Sequence, residues 1–315
     1  MNSNLERLLE LYREEERTQR IVQAIGSETP ARLKLTGMAG AQGSFVLAGT
    51  YLAAPQSHLF IANDKEEAAY IQNNLAHLLD KKPIRFFPDS FKRPMHFEEL
   101  NNNNVLLRTE TINQLSNSPA AGELVVSYPE ALFEKVVSPE ILNQQRINIS
   151  KGEELDVDFL VEVLVEYGFN REDFVYEPGQ FSIRGGIVDI FSFGNEYPYR
   201  VELFDEEVES IRTFNPTTQL SVQNIARVTI IPNINTKFSQ EQKVSLLGIL
   251  PARTAIWVMD FQVLLDKLTL CFEKAEAFAK TVRLQEEEEL KKIFRDRAFI
   301  RPHEIIEDIE TYPII

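Results

Sequence analysis

The feature that most constrains this sequence is an alternation of short apolar runs with amphipathic helical stretches before residue 130. Apolar runs bounded by turn residues predict buried strands, and apolar residues at helical spacing predict helices. The predicted strands cover residues 32–36, 59–62, 84–87 and 124–126, and the predicted helices cover residues 4–25, 44–52, 65–79 and 104–115. Strands that alternate with helices form right-handed crossovers in a parallel sheet. The sequence therefore predicts an α/β fold.

The pattern changes near residue 135, where one helix is followed by closely spaced strands. The helix is predicted at residues 156–167, with an inward-facing apolar side made of Phe159, Leu160, Val163, Leu164 and Tyr167. The strands are predicted at residues 181–183, 187–191, 199–204 and 209–214, and Asp205-Glu206-Glu207 is interpreted as a hairpin tip. Hairpins packed under one helix are typical of a small α+β domain.

The last third of the sequence shows a further change. A strand is predicted at 226–231, a polar loop at 233–242, a buried strand at 255–260 and mostly helix from 261 to 315. Within that helical stretch, the charge run at 285–292 is interpreted as a solvated helix face. We therefore expect three regions: an α/β domain at 1–133, an α+β hairpin domain at 134–215 and a region at 216–315 that completes the α/β fold.

A glycine-rich turn, Gly37-Met38-Ala39-Gly40-Ala41-Gln42-Gly43-Ser44, follows the first predicted strand. A phosphate-binding Walker A loop has the pattern Gly-x-x-x-x-Gly-Lys-Ser/Thr between a strand and a helix. Here Gln42 takes the place of the last glycine, Gly43 that of the lysine and Ser44 that of the hydroxyl. We interpret Gly37, Gly40, Gln42, Gly43 and Ser44 as a degenerate, non-functional P-loop.

Two structures remain open for this turn: a tight strand-to-helix connection, or a residual anion site at the helix N-terminus. Gln42 would need a backbone conformation that glycine adopts at lower cost. Without the lysine, the transition state of phosphoryl transfer lacks its main cation. No ATPase activity and no cofactor are therefore expected.

Charge excludes further classes of function. The chain has 33 basic and 48 acidic residues, a net charge of −15, so as a whole it should repel nucleic acid and anionic membranes. The single cysteine, Cys271, lies in an apolar helical run and cannot form an internal disulfide. A cytoplasmic, monomeric protein without a signal peptide or a membrane span is expected. The four histidines, His58, His77, His96 and His303, lack the spacing of a metal site.

Two stretches carry a family resemblance, Phe181-Ser182-Ile183-Arg184-Gly185-Gly186-Ile187-Val188-Asp189-Ile190-Phe191 and Tyr199-Arg200-Val201-Glu202-Leu203-Phe204-Asp205-Glu206-Glu207-Val208-Glu209-Ser210-Ile211-Arg212. They resemble the middle domain of the nucleotide-excision-repair protein UvrB and, more strongly, the N-terminal module of bacterial transcription-repair coupling factors, the Mfd family. The resemblance implies an α/β domain interrupted by a small hairpin domain that binds the damage-recognition ATPase UvrA.

The family's UvrA-binding positions correspond here to Arg171, Arg184, Arg200 and Glu202, and a further family arginine is replaced by Ser182. Independently, Arg184 and Arg200 alternate with the apolar Ile183 and Val201, which predicts that both arginines point outward. The alternative is an intramolecular ladder in which Arg184 or Arg200 pairs with Glu202 or Asp189 across strands.

Two departures separate the chain from UvrB itself. The P-loop lysine is missing, and the segment after the strand at 84–87 is short, without the Tyr-rich hairpin that grips damaged DNA in UvrB. The resemblance thus implies a protein-interaction module that recruits UvrA to stalled transcription complexes. RNA polymerase and DNA would be contacted through C-terminal parts of the longer family proteins, which we expect this chain to lack. The alternatives are a nucleotide-binding regulator or a direct DNA-binding module.

Overall fold

A computed structural model describes residues 3–54, 56–80, 82–93, 95, 97, 101–117, 122–144, 146–193, 195, 197–231, 243–282 and 299–315. The chain divides into two compact units, the first formed by Met1–Val136 and Val244–Ile315, the second by Val137–Lys243. Within the described ranges, no helix is both long and apolar enough to cross a lipid bilayer.

The first unit combines helices with a parallel sheet. Its helices are α1 (Ser3–Glu14), α2 (Glu16–Ile25), α3 (Gln42–Ala53), α4 (Lys65–Leu78), α5 (Asn102–Asn117), α6 (Pro129–Leu132), a 3-10 turn (Leu247–Ile249), α9 (Phe261–Val282) and α10 (Pro302–Glu310). Its strands are β1 (His58–Ile61), β2 (Ile84–Phe86), β3 (Leu124–Ser127) and β14 (Ala255–Val258). The strand order is β14-β1-β3-β2, and each pair is parallel, which confirms the predicted α/β fold.

The prediction of a strand at 32–36 is wrong, because these residues do not form a continuous ladder with another strand. Only Arg32 forms a bridge, to Ile314, which itself bridges to Ile256 beside β14. Residues 31–33 therefore occupy the outermost position of the sheet, next to the C-terminal residues. The alternating pattern of residues 32–36 lacks a second strand to pair with among the described residues, and this is why it does not become a regular strand.

The predicted helix at 4–25 is two helices. The chain breaks at Glu15, which has an extended backbone (φ −59°, ψ 137°) and precedes α2. The first helix lies very close to α3, since a Cβ added at Gly49 would stand 3.1 Å from the backbone nitrogen of Arg13. The break lets both helices pack on α3, which one straight helix could not do.

The second unit is a mainly antiparallel sheet, in which β6 (Asn170–Arg171) alone among the described strands pairs in parallel, with one helix packed on one face. Its elements are α7 (Pro139–Gln144), β5 (Ile147–Ser150), α8 (Val157–Glu166), β6 (Asn170–Arg171), β7 (Gln180–Arg184), β8 (Ile187–Phe191), β9 (Tyr199–Phe204), β10 (Glu207–Phe214), β11 (Ser221–Ile225) and β12 (Arg227–Ile230). The short strands β4 (Val136–Val137) and β13 (Lys243–Val244) lie where the chain passes between the units. The main sheet has the order β11-β10-β9-β8-β7-β6.

The core of this unit lies between α8 and one face of the sheet, as the sequence predicted. Leu160 and Leu164 of α8 pack with Phe181, Val188 and Val201 of the strands. Phe159, however, is 64% exposed, so its predicted inward position is wrong. The buried stripe runs through residues 160, 164 and 167, and the residue before it on a helix points about 100° away.

The unit extends beyond residue 215, the boundary expected from the sequence. Ser221–Ile225 pairs with β10, and Arg227–Ile230 pairs with β5, so the chain does not leave the unit until Lys243. Strands β5 and β11 were not predicted. The predicted loop at 233–242 and the charge run at 285–292 lie outside the described residues.

Candidate functional site

The six-stranded sheet has one apolar and one polar face. Its apolar face packs on α8, as described above. The opposite face, called the polar face below, carries Ser182, Arg184, Asp189, Arg200, Glu202, Ser210 and Arg212. The strand register sets Ser182, Asp189, Arg200 and Arg212 side by side across four strands. Alternation along each strand therefore gathers charged side chains from residues distant in sequence.

Asp189 is the centre of this face and is fully buried. Arg200 donates two hydrogen bonds to its carboxylate, from Nε to Oδ1 at 2.7 Å and from Nη2 to Oδ2 at 2.8 Å. Arg184 donates a third from Nη2 to Oδ2 at 2.6 Å. The hydrogen bonds to Asp189 raise the pKa of Arg200. The two arginines are thus oriented by one buried carboxylate, an arrangement with the geometry of a strong bidentate pair.

A second ion pair lies on the neighbouring strands. Arg212 donates to both carboxylate oxygens of Glu202, at 2.6 and 2.5 Å, and the Ser210 hydroxyl donates to the same group at 2.6 Å. These hydrogen bonds from Arg212 and Ser210 lower the pKa of Glu202 to about 2. Glu202 is therefore held as an anion with part of its side chain open to solvent.

The structure corrects the expected exposure of Arg200. Its side chain is only 13% exposed, whereas that of Arg184 is 34% exposed. The guanidinium of Arg200 lies 4.3 Å from the centroid of the Phe214 ring, and its Nη2 donates to Gln219. The intramolecular ladder considered from the sequence is present, built on Asp189. Arg200 thus stays on the polar face but is covered by the chain around Gln219.

The Arg184 guanidinium is held in place by several neighbouring groups. Besides its bond to Asp189, Nη1 donates to the carbonyl of Asp173 at 2.7 Å and to the Ser182 hydroxyl at 2.9 Å. The guanidinium also lies 4.8 Å from the centroid of the Phe174 ring, and that ring is itself exposed. Ser182 is buried, so it positions Arg184 instead of reaching solvent.

Arg171 borders the same place from the edge strand β6. It is exposed and, within the part of the chain that the structure describes, forms no ion pair. Arg171 and Arg184 line a shallow depression of about 610 Å³ together with Glu172, Asp173, Phe174 and Ile183. Of the four arginine and glutamate positions inferred from the sequence, these two are brought together at an accessible surface.

Sequence reasoning did not single out two residues of this region. Phe174 was missed because it lies in a loop, and the alternation of residue types along strands does not predict the path of a loop. Phe204, 72% exposed at the end of β9, precedes the turn at Asp205 and Glu206 that forms the predicted hairpin tip. An aromatic residue at an outward strand position was a usable signal for Phe204. Arg212 stood in the motif, but only the strand register reveals that it pairs with Glu202.

The β7–β8 turn depends on glycine. Gly185 has a φ of +58°, which is strained for other residues, and a Cβ on Gly186 would lie 2.8 Å from the carbonyl oxygen of Leu203. The turn therefore approaches β9 as closely as its backbone allows. This contact holds the end of β7, and with it Arg184, against the neighbouring strand.

The glycine-rich turn of the first unit has a different character. Gly37 and Gly40 adopt φ values of +77° and +56°. Gln42 does not have the strained backbone expected for it, because it begins helix α3, two residues before the predicted start. Its side-chain Oε1 accepts a hydrogen bond from the Ala39 backbone nitrogen at 2.9 Å. Ser44 is buried. An amide of the turn is thus occupied by the protein's own side chain.

The described residues include no candidate cluster of metal ligands. Among those residues, no cluster of three or more His, Cys, Asp or Glu side chains could hold an ion. His58 is buried beside Trp257, whose indole nitrogen donates to its Nδ1 at 3.0 Å. His96 lies outside the described residues.

Comparisons with known proteins agree with the resemblance read from the sequence. The profile of the UvrB interaction domain matches residues 147–235, which contain the whole polar face. A transcription-repair-coupling factor of Bacillus subtilis is 31% identical over 63% of this chain and 17% of its own length. Those of Staphylococcus aureus strain Mu50 and Staphylococcus epidermidis strain RP62A are 31% and 29% identical over 71% and 69% of this chain, and 19% and 18% of their own.

The chain therefore spans less than a fifth of the length of these curated relatives. Residues 147–235 are similar to the UvrB interaction domain, and the chain is similar over about two thirds of its length to a segment of bacterial transcription-repair-coupling factors.

Proposed function

We propose that this chain is a protein-interaction module that binds UvrA through the accessible edge of the polar face, with no enzymatic activity of its own. The observation that carries the proposal is the pair Arg171 and Arg184, which line one depression in a chain of net charge −15. Glu172 and Asp173 line the same depression, so its charge is mixed, and the two arginines are the groups that could pair with carboxylates of a partner surface.

Arg184 has the properties of an interface hot spot. Its guanidinium is held by Asp189, Ser182 and the Asp173 carbonyl, so little side-chain entropy is lost when a partner binds. Arginine offers a planar fork that pairs with carboxylates through two hydrogen bonds, and it is enriched at hot spots. The exposed Phe174 ring beside it adds apolar area that a partner can cover.

We propose different roles for the four positions inferred from the resemblance. Arg171 and Arg184 are the proposed contact residues. Arg200 is a positioning residue, because it is mostly covered and acts on Arg184 through their shared partner Asp189. Glu202 is the proposed anionic contact, with Phe204 exposed two residues along the same strand.

The proposed absence of ATPase activity rests on the glycine-rich turn. The turn follows an outermost, single-bridge segment of the sheet, carries no lysine at position 43, and uses Gln42 to satisfy an amide. We regard it as a degenerate Walker A loop that serves as a connection. A phosphate would need free amides and a cation there.

In the longer coupling factors, this module would recruit UvrA to stalled transcription complexes for nucleotide excision repair. Contacts with RNA polymerase and DNA would belong to other parts of those proteins. The net charge of this chain disfavours direct DNA binding.

The proposal is tested by titrating the chain into immobilised UvrA. Arg171→Glu should weaken binding at least about tenfold, since it reverses a contact charge. Lys151→Glu is the matched control, because Lys151 is an exposed cation of the same unit outside the polar face. Absence of UvrA binding by the wild type, or equal losses for both variants, would overturn the proposal.

A further inference from the structure

The first unit contains a groove that the proposed function does not use. It lies between helices α1 and α2 on one side and residues 33–38 on the other, with a volume of about 880 Å³. Its walls are largely apolar and include Leu11, Tyr12, Ile21, Leu33, Leu35 and Met38. Leu11 and Met38 are exposed although they line it. We call this the edge groove.

One wall of the edge groove is an extended segment that is paired on one side only. Ala31 and Leu33 exchange backbone hydrogen bonds with Ile314, at 2.9 Å each. From Lys34 to Thr36, no backbone hydrogen bond is formed to any described residue. Burial still alternates with a period of two along residues 31–36, as in an extended strand. The segment is therefore an extended chain paired on one side only.

The direction of its free groups follows from that pairing. Since the carbonyl of residue 31 and the N–H of residue 33 face Ile314, the period of a strand turns the N–H and carbonyl of Lys34 to the opposite side. An open edge of this kind is a template for another strand. Apolar side chains on both sides of it would accept alternate side chains of such a strand.

The charges that line the edge groove favour a bound strand with acidic side chains. The edge groove is lined by the cations Arg17, Arg20 and Lys34 and by one acid, Glu15. Among the described residues, Arg17 and Arg20 form ion pairs only with the exposed Glu15 and Glu16, and Lys34 forms none. Exposed pairs contribute little and exchange readily for a better partner.

We infer that the edge groove binds an extended peptide segment in which acidic side chains alternate with apolar ones, and that this segment adds a strand beside Lys34. Main-chain hydrogen bonds to Lys34 give affinity, the apolar walls take one row of side chains, and the cationic rim selects the acidic row. The proposed UvrA contact is not needed for this inference.

The test uses a fluorescein-labelled peptide of about ten residues that alternates glutamate with valine or leucine, followed by anisotropy. A matched peptide with lysine in place of glutamate is the control ligand. The acidic peptide should bind and the basic one should not. Lys34→Ala should lower the affinity a few-fold, because it removes one charge, and Lys34→Pro should lower it at least about tenfold, because it also removes the outward N–H.

Hydrogen exchange on the wild-type chain gives a second readout that needs no variant. The acidic peptide should slow exchange of the Lys34 amide while leaving amides of β8 and β9 in the second unit unchanged. The inference is overturned if neither peptide binds, if both bind equally, if Lys34→Pro and Lys34→Ala bind alike, or if the Lys34 amide exchanges at the same rate with and without peptide.

Discussion

The two units differ in what determines the protonation state of several ionisable groups. In the first unit, burial lowers the pKa of His58 to about 3 and raises the pKa values of Asp89 and Glu130, so burial favours the neutral forms. In the second unit, hydrogen bonds from Arg212 hold Glu202 as an anion, and Asp189 anchors two arginines. Paired charge occurs in both units, as Arg108 and Glu134 show in the first. On the polar face of the second unit, Arg184 and Glu202 keep about a third of their side chains exposed, where a partner could reach them.

The strongest way to break this comparison is to remove the partner of the buried carboxylate. Arg200→Ala should destabilise the second unit by about 3–5 kcal/mol, because Asp189 would remain buried with only Arg184. Hydrogen exchange of β8 and β9 amides reports this unit separately from the first. Adding Asp189→Asn to that variant should recover part of the loss. A loss below about 1 kcal/mol for Arg200→Ala would show that the pair is not essential to the face.

The pH dependence of folding stability tests the comparison in the first unit. The folded unit favours neutral His58, so the stability it contributes is present above pH 6.5 and is lost as the pH falls toward about 3. Asp89 and Glu130 act in the opposite direction, since their raised pKa values favour the folded state at lower pH.

Comparing the wild type with His58→Gln isolates the histidine. The stability difference should shrink by up to about 1.4 kcal/mol per pH unit below pH 6.5, followed by the fluorescence of the neighbouring Trp257. A difference that does not change with pH would contradict the neutral state of His58.

The stability of the second unit should decrease at lower pH than that of the first, because Glu202 becomes neutral only near pH 2. Glu202→Gln should cost about 2 kcal/mol near neutral pH, because it removes the anion that Arg212 and Ser210 bind. The deficit should disappear as the pH falls from 4.5 to about 2, where the wild-type carboxyl also becomes neutral. A deficit that persists at pH 2 would mean that the pair contributes through packing instead of charge.

The smallest expected effect comes from restoring the missing cation in the glycine-rich turn. Gly43→Lys should produce no detectable ATP binding or turnover, because Gln42 already occupies an amide of the turn and Ser44 is buried. Calorimetric titration with ATP and magnesium checks this. Micromolar ATP binding by the wild type or the variant would show that the first unit binds a nucleotide, and it would contradict the interpretation of the turn as a mere connection.

Much of the fold could be predicted because its signals are local. The strands of the parallel sheet and the alternation of Arg200 and Glu202 with Val201 follow from periods that the sequence displays. The strand expected at 32–36 has the right alternation, yet a strand also needs a neighbour, and none is present beyond Leu33 among the described residues. The break at Glu15 likewise depends on packing against α3.

The candidate site could be predicted only in part, for the same reason. Alternation places Arg184 and Arg200 on one face, but it cannot tell that the chain around Gln219 covers Arg200 and leaves Arg184 open. An acid between apolar residues of β8 does signal a buried partner, and Asp189 was considered as one. Which arginine it would hold depends on strand register and on loop paths, which are long-range properties.

The most direct test of the central claim measures UvrA affinity for two variants of the whole chain, one from each unit. Arg184→Ala should weaken binding by about 2 kcal/mol or more, with β8 and β9 exchange rates that show the second unit still folded. Gln42→Ala, in the glycine-rich turn, should leave the affinity within about twofold of the wild type. Unchanged affinity for Arg184→Ala, or an equal loss for Gln42→Ala, would contradict the account.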